Sequence, residues 1–380
     1  MNWEGVDAIS DGVFGSACGQ TPVGQRNPLQ TINTSRQEMA NRPIEVNGKP
    51  LSVHKATVDP VFSAKTVLAS DAWDYIDLWL RRSHEEEARF FWEQARQFAA
   101  ATRELPKESS PLTAYYCMLN CAKALLLVKK QAFTDQHGIT GSSTGSKCHI
   151  KNEQVVFKSS GILPGLCRWL GEVANGETYT LCDILYNLVY IHRAFNLSLP
   201  SRPELFVPIK QPRIVRSMKT DEAWFCTDLE RAYASLNTVN RLDPGFERDL
   251  GIPDTFTVRS KKRFKWSSNK KAESLQRYVV YHQSIRRHLA YIKGDSRLWY
   301  IKRGDGPDGY IPRSSLTLSF AAMHRLSELA RYAPDRLAGH FEGRYNWLLS
   351  DFIATAPTQF VDNISSEMTG FEFMPPQRAS

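Results

Sequence analysis

The sequence predicts a mainly α fold: a helical bundle around one buried central helix, with a small basic segment that contains β-strands and a C-terminal helical block. Three observations support this fold class. Residues 110–130 are apolar around most of the circumference of a helix. Residues 71–105 and 314–365 space their apolar residues as amphipathic helices do. Short apolar–polar alternations are frequent in residues 258–303.

The N-terminal part precedes any regular pattern. Residues 1–58 are rich in Gly, Asn, Thr, Ser and Gln, which is typical of a loosely ordered arm or of a few short strands, with VNGKP as a turn. Residues 71–105 then predict two amphipathic helices that separate after Ser83. The acidic run EEE at residues 85–87 fits the first turn of the second helix, where negative charge is favourable.

The stretch SPLTAYYCMLNCAKALLLVKK, residues 110–130, predicts the central helix. Ser110 can cap the helix, and Pro111 fits its first turn, where an N–H group is not needed. A helix with so few polar positions must be surrounded by other elements. We therefore divide the chain into an arm, a helical region with a short strand insert, a Pro-rich connector with a helix, a basic strand-rich segment and a C-terminal helical block: residues 1–58, 59–200, 201–257, 258–312 and 313–380.

The positive charge of the chain is concentrated in one segment. The formal net charge is +8, yet residues 258–303 alone carry fourteen Lys and Arg against two acids, Glu273 and Asp295. Cations beside aromatic faces suit a phosphate backbone with stacked bases, so the segment predicts binding to RNA or DNA or to another polyanion. The phosphate-contacting candidates are Lys261, Lys262, Arg263, Lys265, Lys270 and Lys271, and the stacking candidates are Phe264 and Trp266. The alternative is a solvated sheet edge, where lysines prevent pairing with other strands.

Several segments resemble a known family. AYYCMLNCAKALLL, the following HGI, the GILPGL turn, the YTLCDIL helix and LSFAAMHRLSELARYAPDRL together resemble the YaaC-like family of bacterial proteins over roughly residues 70–360. The first of these segments is also similar to the second helix of HEPN-type domains, many of which are RNA-cleaving toxins or defence effectors. From the basic segment and the reduced cysteines we expect a cytoplasmic, nucleic-acid-associated protein of the YaaC-like type. The HEPN-like resemblance implies a role in stress or phage defence.

The HEPN-like resemblance implies a ribonuclease pair of Arg and His separated by four to six residues. RYVVYH supplies this spacing with Arg277 and His282. In such a pair, the histidine transfers a proton and the arginine stabilises charge on the phosphate. The intervening YVVY is typical of a strand, in which residues five apart point to opposite faces, and this favours a basic surface instead. His137, beside the HGI motif, is a second candidate to line a site.

Other classes of function lack their motifs. The sequence contains no HExxH and no GxSxG, and GSSTGSK does not have the spacing of a phosphate-binding loop. Cys117 and Cys121 lie one helical turn apart, where core packing is favoured over metal binding, and the seven cysteines include no CxxC pair. We therefore expect no metal, no cofactor and no membrane span. The competing hypothesis is a non-catalytic interaction protein that binds an acidic protein partner or forms homo-oligomers.

Overall fold

The computed structural model describes residues 41–251, 255–294, 298–304 and 308–376. The helices are α1 Trp73–Arg82, α2 Glu86–Glu104, α3 Ser110–Val128, α4 Ile162–Trp169, α5 Leu181–Tyr186, α6 His192–Ser198, α7 Leu236–Asn240, α8 Lys271–Arg286, α9 Ser315–Tyr332, α10 Pro334–Glu342 and α11 Asn346–Thr369. The strands are β1 Asn41–Pro43, β2 Glu45–Val46, β3 Lys49–Pro50, β4 Val67–Leu68, β5 Ile139–Ser143, β6 Glu153–Phe157, β7 Thr178–Thr180, β8 Phe206–Ser217, β9 Glu222–Leu229, β10 Phe246–Arg248, β11 Thr257–Ser260, β12 Phe264–Lys265, β13 Leu289–Ile292, β14 Leu298–Lys302 and β15 Phe373–Met374.

The predicted mainly α fold class is wrong, because the structure contains a large β-sheet. The structure is 47% helical and 20% strand, and eight of its strands form one curled antiparallel sheet. The strand order is β10-β11-β9-β8-β14-β13, with β1 also paired to β8 and β12 also paired to β9. The protein is therefore an α and β structure rather than a mainly α helical bundle.

The centre of this sheet comes from residues that the sequence assigned to a connector and a helix. Strand β8 contains Pro208 and Pro212, which suggested a connector because proline cannot donate to a strand ladder. Pro212 lies where the pairing of β8 with β9 changes register, between Lys210 and Arg213, so the missing donor is tolerated. Strand β9 is buried over most of its length and runs EAWFCTDL.

Helix α8 replaces a predicted strand. The apolar alternation in RYVVYH suggested extended structure, but residues 271–286 are helical. The buried side chains of α8 are Ser274, Tyr278, Tyr281, His282 and Ile285, which share one helical face. This face packs against the sheet, and its residues join β8, β9 and β13 in a sheet core.

Helix α3 is buried in a second core. It packs against α2, α4, α9 and α11, so the helices before and after the basic segment share one set of buried side chains. The length and composition of α3 would suffice to cross a membrane, but 67% of its most apolar window is buried inside the protein. Burial of this kind is typical of a core helix.

The N-terminal part that the structure describes is ordered against the sheet. Strand β1 pairs with β8, and the hairpin of β2 and β3 places Ile44, Val46, Leu51 and Val53 in the sheet core. These residues belong to the predicted arm of residues 1–58, whose first forty residues lie outside the described part of the chain.

Candidate functional site

The predicted phosphate-contacting residues lie at one end of the sheet. Strand β12 pairs with β9 through Phe264 opposite Ala223 and Lys265 opposite Glu222. The side chains of these cationic candidates are exposed because the short strand and the loops around it lie at the surface. We call the following residues the basic edge: Lys49, Arg216, Lys219, Lys261, Lys262, Arg263, Lys265, Lys270 and Lys271.

Three members of the basic edge are distant in sequence and were missed by sequence reasoning. The Arg216 guanidinium donates to the Ser268 hydroxyl at 2.9 Å, and the Lys271 ammonium donates to the Asn47 side chain at 3.2 Å. These contacts bring the β2–β3 hairpin, with Lys49, and the β8–β9 turn, with Lys219, to the basic segment. No signal in the sequence alone indicates this proximity, because it arises from strand pairing.

Most cations of the basic edge lack a carboxylate partner. Arg263 pairs with Glu222 at 2.6 Å, and Lys270 lies 3.8 Å from Glu273. Within the described residues, Lys261, Lys262, Lys265 and Lys271 form no ion pair. Exposed, uncompensated lysines produce a positive potential that attracts anions and is screened by salt.

The predicted stacking residues face inward. Trp266 is buried with 4% of its surface exposed, and Phe264 packs against Tyr278 and Tyr281 at ring-centroid distances of 5.4 and 4.6 Å. Both belong to the sheet core or pack directly on it, as does Trp299. Phe264 and Trp266 therefore point away from the cations of the basic edge, and the stacking role predicted for these two residues does not fit this placement.

Arg277 and His282 do not form a common site. The Arg277 side chain is exposed and donates to the Lys265 carbonyl at 3.0 Å and to the Ser274 hydroxyl at 3.1 Å. His282 is fully buried, and its Nε2 atom accepts the His54 backbone N–H at 3.0 Å. Burial lowers the pKa of His282 well below its usual value, which keeps the ring neutral. The structure gives this histidine a structural environment rather than access to a substrate.

A different set of ring side chains meets in the helical layer. The Tyr115 hydroxyl lies 2.5 Å from Nδ1 of His137, and the His324 ring centroid lies 5.0 Å from that of Tyr115 and 5.5 Å from that of His137. Burial raises the pKa of Tyr115, so its hydroxyl keeps its proton and forms a hydrogen bond with Nδ1 of His137. Burial also lowers the pKa of His324 to about 3. His137 is half-buried and remains the one ring of the three with access to solvent.

Two glycines fix the position of His137. Gly138 and Gly161 both have positive φ, at 76° and 126°, and a Cβ at Gly161 would lie 2.4 Å from the Gly138 Cα. The Ile162 N–H donates to the Gln136 carbonyl at 2.9 Å. Only glycine allows this close approach of the HGI loop to the GILPGL turn. The sequence indicated His137 through its motif, whereas it gave no signal that Tyr115 on α3 and His324 on α9 lie beside it.

The comparisons agree with the sequence resemblance. The family described as YaaC-like Protein matches residues 55–368. No curated protein and no solved structure matches the chain. The family match covers α1 to α11 and the complete eight-stranded sheet apart from β1, so it includes the described structure nearly in full. The chain belongs to the YaaC-like family.

Proposed function

We propose that this YaaC-like protein associates with nucleic acid by binding the phosphate backbone at the basic edge. The observation that carries the proposal is the set of exposed lysines at residues 261, 262, 265 and 271, which have no carboxylate partner in the described structure. Lysines placed in this way release counterions from a polyanion when they bind it.

The inward orientation of the aromatic residues refines the proposal. Sequence-tolerant binding of single strands usually adds base stacking on exposed aromatic side chains. Phe264 and Trp266 lie in or on the sheet core and do not provide such a platform. We therefore expect the basic edge to bind RNA and duplex DNA with similar affinity, through charge rather than through base contacts.

The proposed biological role and the hypothesis of a ribonuclease rest on different observations from the binding proposal. The proposed role in stress or phage defence rests on the HEPN-like resemblance of the α3 segment. Cleavage of RNA by Arg277 and His282 would require both side chains to reach one phosphate, and the buried ring of His282 opposes this. The function that we propose is therefore binding without cleavage.

The test compares binding of fluorescent single-stranded RNA and duplex DNA over a salt series. The variant replaces Lys261, Lys262, Lys265 and Lys271 with glutamine, and the matched control replaces four exposed lysines of the helical side with glutamine: Lys130, Lys147, Lys151 and Lys158. Each phosphate that the variant no longer neutralises should reduce the slope of log affinity against log salt by about 0.9 for duplex DNA and about 0.7 for single strands. We expect this reduction in the basic-edge variant alone.

Three outcomes would contradict the proposal. Absence of binding at low salt would exclude nucleic acid as the partner. Equal reductions in both variants would show that net charge, rather than the basic edge, is responsible. Competition by polyglutamate as strong as competition by RNA would favour the acidic protein partner instead.

A further inference from the structure

A cleft separates the β13–β14 end of the sheet from the helical layer. Its volume is about 720 Å³, which is within the range of small-molecule sites. Its walls come from β13 and β14, from the segment after α4 and from the N-terminus of α9. The cleft is separate from the basic edge, since none of its lining residues belongs to that surface.

The acidic side chains of the cleft are already occupied. Glu172 accepts from the Ser314 backbone N–H at 2.6 Å, the Thr317 hydroxyl at 3.0 Å and Arg313 at 3.2 Å. Glu367 accepts the backbone N–H groups of Thr57 and Val58. These carboxylates have their hydrogen bonds satisfied from within the protein, so they leave few lone pairs for a ligand.

Besides Glu177, which accepts the Asn175 backbone N–H at 2.7 Å and lies 3.4 Å from Arg313, Asp243 completes the set of acids that line the cleft. It accepts the Gly245 backbone N–H at 2.8 Å and lies 3.4 Å from the His288 ring. Burial lowers the pKa of His288, while Asp243 raises it and Arg287 lowers it. The Asp243 carboxylate is therefore held in place by its own loop and by His288, which directly precedes β13.

Three cations of the cleft form no ion pair with a carboxylate within the described ranges, and one of them, Arg286, donates instead to the backbone carbonyls of His54, Lys55 and Leu289. The other two are Lys302 and Arg287. Lys302, on β14, is buried with 7% of its surface exposed, and its ammonium donates to the Ile311 carbonyl at 2.5 Å and lies 4.7 Å from the Tyr310 ring centroid. Arg287 is exposed at the cleft wall. Neither forms an ion pair within the described ranges. A buried lysine without a carboxylate is costly to charge, and burial lowers the pKa of Lys302 to about 7.

We propose that this cleft binds a small anionic metabolite, with Lys302 as its buried contact and Arg287 as its contact at the wall. The acids of the cleft accept hydrogen bonds or ion pairs from within the protein, whereas Lys302 and Arg287 keep free N–H donors: Lys302 uses one of its three N–H groups on Ile311. A carboxylate or phosphate would accept hydrogen bonds from both side chains and would provide the negatively charged partner that Lys302 does not have within the described ranges. Pockets of this volume enclose most of the surface of a drug-sized molecule.

The test uses pyridoxal 5′-phosphate as a probe that combines an aldehyde with an anionic group. The unprotonated amine attacks the aldehyde carbon, a C=N bond replaces C=O, and water leaves; borohydride then adds hydride to the imine carbon and fixes the label. At neutral pH an ordinary lysine is unprotonated in roughly one molecule in 2,500. We therefore expect brief exposure of the full-length protein to label Lys302 ahead of the exposed lysines, as measured by peptide mass mapping.

Protection experiments identify the anion. Inorganic phosphate and malonate are added separately before the probe, and the one that resembles the ligand should slow labelling of Lys302 at least fivefold. Arg287→Gln, a surface change that should leave the fold intact, should weaken this protection severalfold. Lys130→Gln, on the helical side, is the control and should change neither labelling nor protection.

Three results would overturn the proposal. These are labelling confined to exposed lysines, labelling of Lys302 that neither anion slows, and protection that is unchanged in Arg287→Gln. Lys302→Met serves as the second variant, since it removes the amine and keeps an unbranched side chain of similar length. Its loss of the dominant label, with an unchanged circular dichroism spectrum, would support the assignment.

Discussion

Glu153, the first residue of β6, accepts more hydrogen bonds than any other carboxylate among the described residues of the helical layer. It is fully buried and accepts hydrogen bonds from Arg325 at 2.7 Å, Arg336 at 2.6 Å, His340 at 3.0 Å and Ser143 at 2.8 Å. Burial alone would raise the pKa of Glu153, but hydrogen bonds from His340, Arg325 and Arg336 lower it to about 2. The carboxylate joins β5, β6, α9 and α10.

Glu153→Gln should destabilise the protein strongly at neutral pH. Removing one partner of a buried ion pair leaves the other charge uncompensated, which costs about 3–5 kcal/mol. Because the folded pKa is depressed, the contribution of Glu153 is complete above its ordinary value of 4.5 and is lost as the pH falls towards 2. The difference in free energy of unfolding between variant and unaltered protein should therefore shrink over this range, as measured by urea denaturation.

An exposed carboxylate provides the control. Glu273→Gln, on α8, removes the surface pairs with Lys270 and Arg277 and should cost less than about 1 kcal/mol. Equal stability of Glu153→Gln and Glu273→Gln at neutral pH would contradict the role assigned to the Glu153 network.

At the scale of the element, α8 shows why part of the fold was predictable and part was not. In α8 the apolar Val280 is exposed, whereas the polar Ser274 and His282 are buried. The sequence of the helix therefore does not separate an apolar face from a polar face. The spacing of Tyr278, Tyr281 and Ile285 was the available signal for a helix. Helix α3 could be predicted because it is apolar on all its faces, so the prediction did not require one apolar face to be identified.

The sheet was harder to predict from the sequence than either helix. A strand buried at the centre of a sheet, such as β9, has an apolar run that is also typical of a buried helix. Two of the three strands that pair with β8, namely β1 and β14, are far away in sequence. The composition of the basic edge was visible in the sequence, but its aromatic residues could not be assigned to the inside or outside before the fold was known. Arg216 joined the edge only through strand pairing.

The buried hydroxyl of Tyr281 forms hydrogen bonds that connect α8 to the sheet. The Phe225 backbone N–H, on β9, donates to this hydroxyl at 2.7 Å, and the Ser260 hydroxyl, at the end of β11, also contacts it. Tyr281→Phe should cost about 1–3 kcal/mol because it leaves a buried donor without a partner. Urea denaturation gives the free energy, and hydrogen exchange at the Phe225 amide should become faster.

The neighbouring Val280 tests whether the effect belongs to the hydroxyl. Its side chain is exposed, so Val280→Ala on the same helix should change the stability by no more than about 0.5 kcal/mol. If Tyr281→Phe were equally neutral, the docking of α8 would depend on packing alone.

At the scale of the whole molecule, one buried ion pair connects the two cores. Asp362, on α11, accepts from the Lys55 ammonium at 2.9 Å and from the Tyr291 hydroxyl at 2.7 Å. Tyr291 belongs to β13 in the sheet core, and Lys55 lies in the segment after β3 and also donates to the Phe373 carbonyl. Burial raises the pKa of Tyr291 well above its usual value, and Asp362 adds to this shift, so the phenol remains a donor.

Lys55→Met should weaken both the stability and the cooperativity of the protein. It leaves Asp362 buried with only the phenol as partner, at a cost of about 3–5 kcal/mol. Since the same carboxylate ties α11 to β13, we expect the far-ultraviolet circular dichroism and tryptophan fluorescence transitions to coincide in the unaltered protein and to separate in the variant. Asp362→Asn in the Lys55→Met background removes the stranded charge and should recover part of the stability. As the control, Lys49→Met at an exposed position should change the free energy of unfolding by no more than about 0.5 kcal/mol. A single unfolding transition at an unchanged midpoint in Lys55→Met would instead show that other contacts couple the two cores.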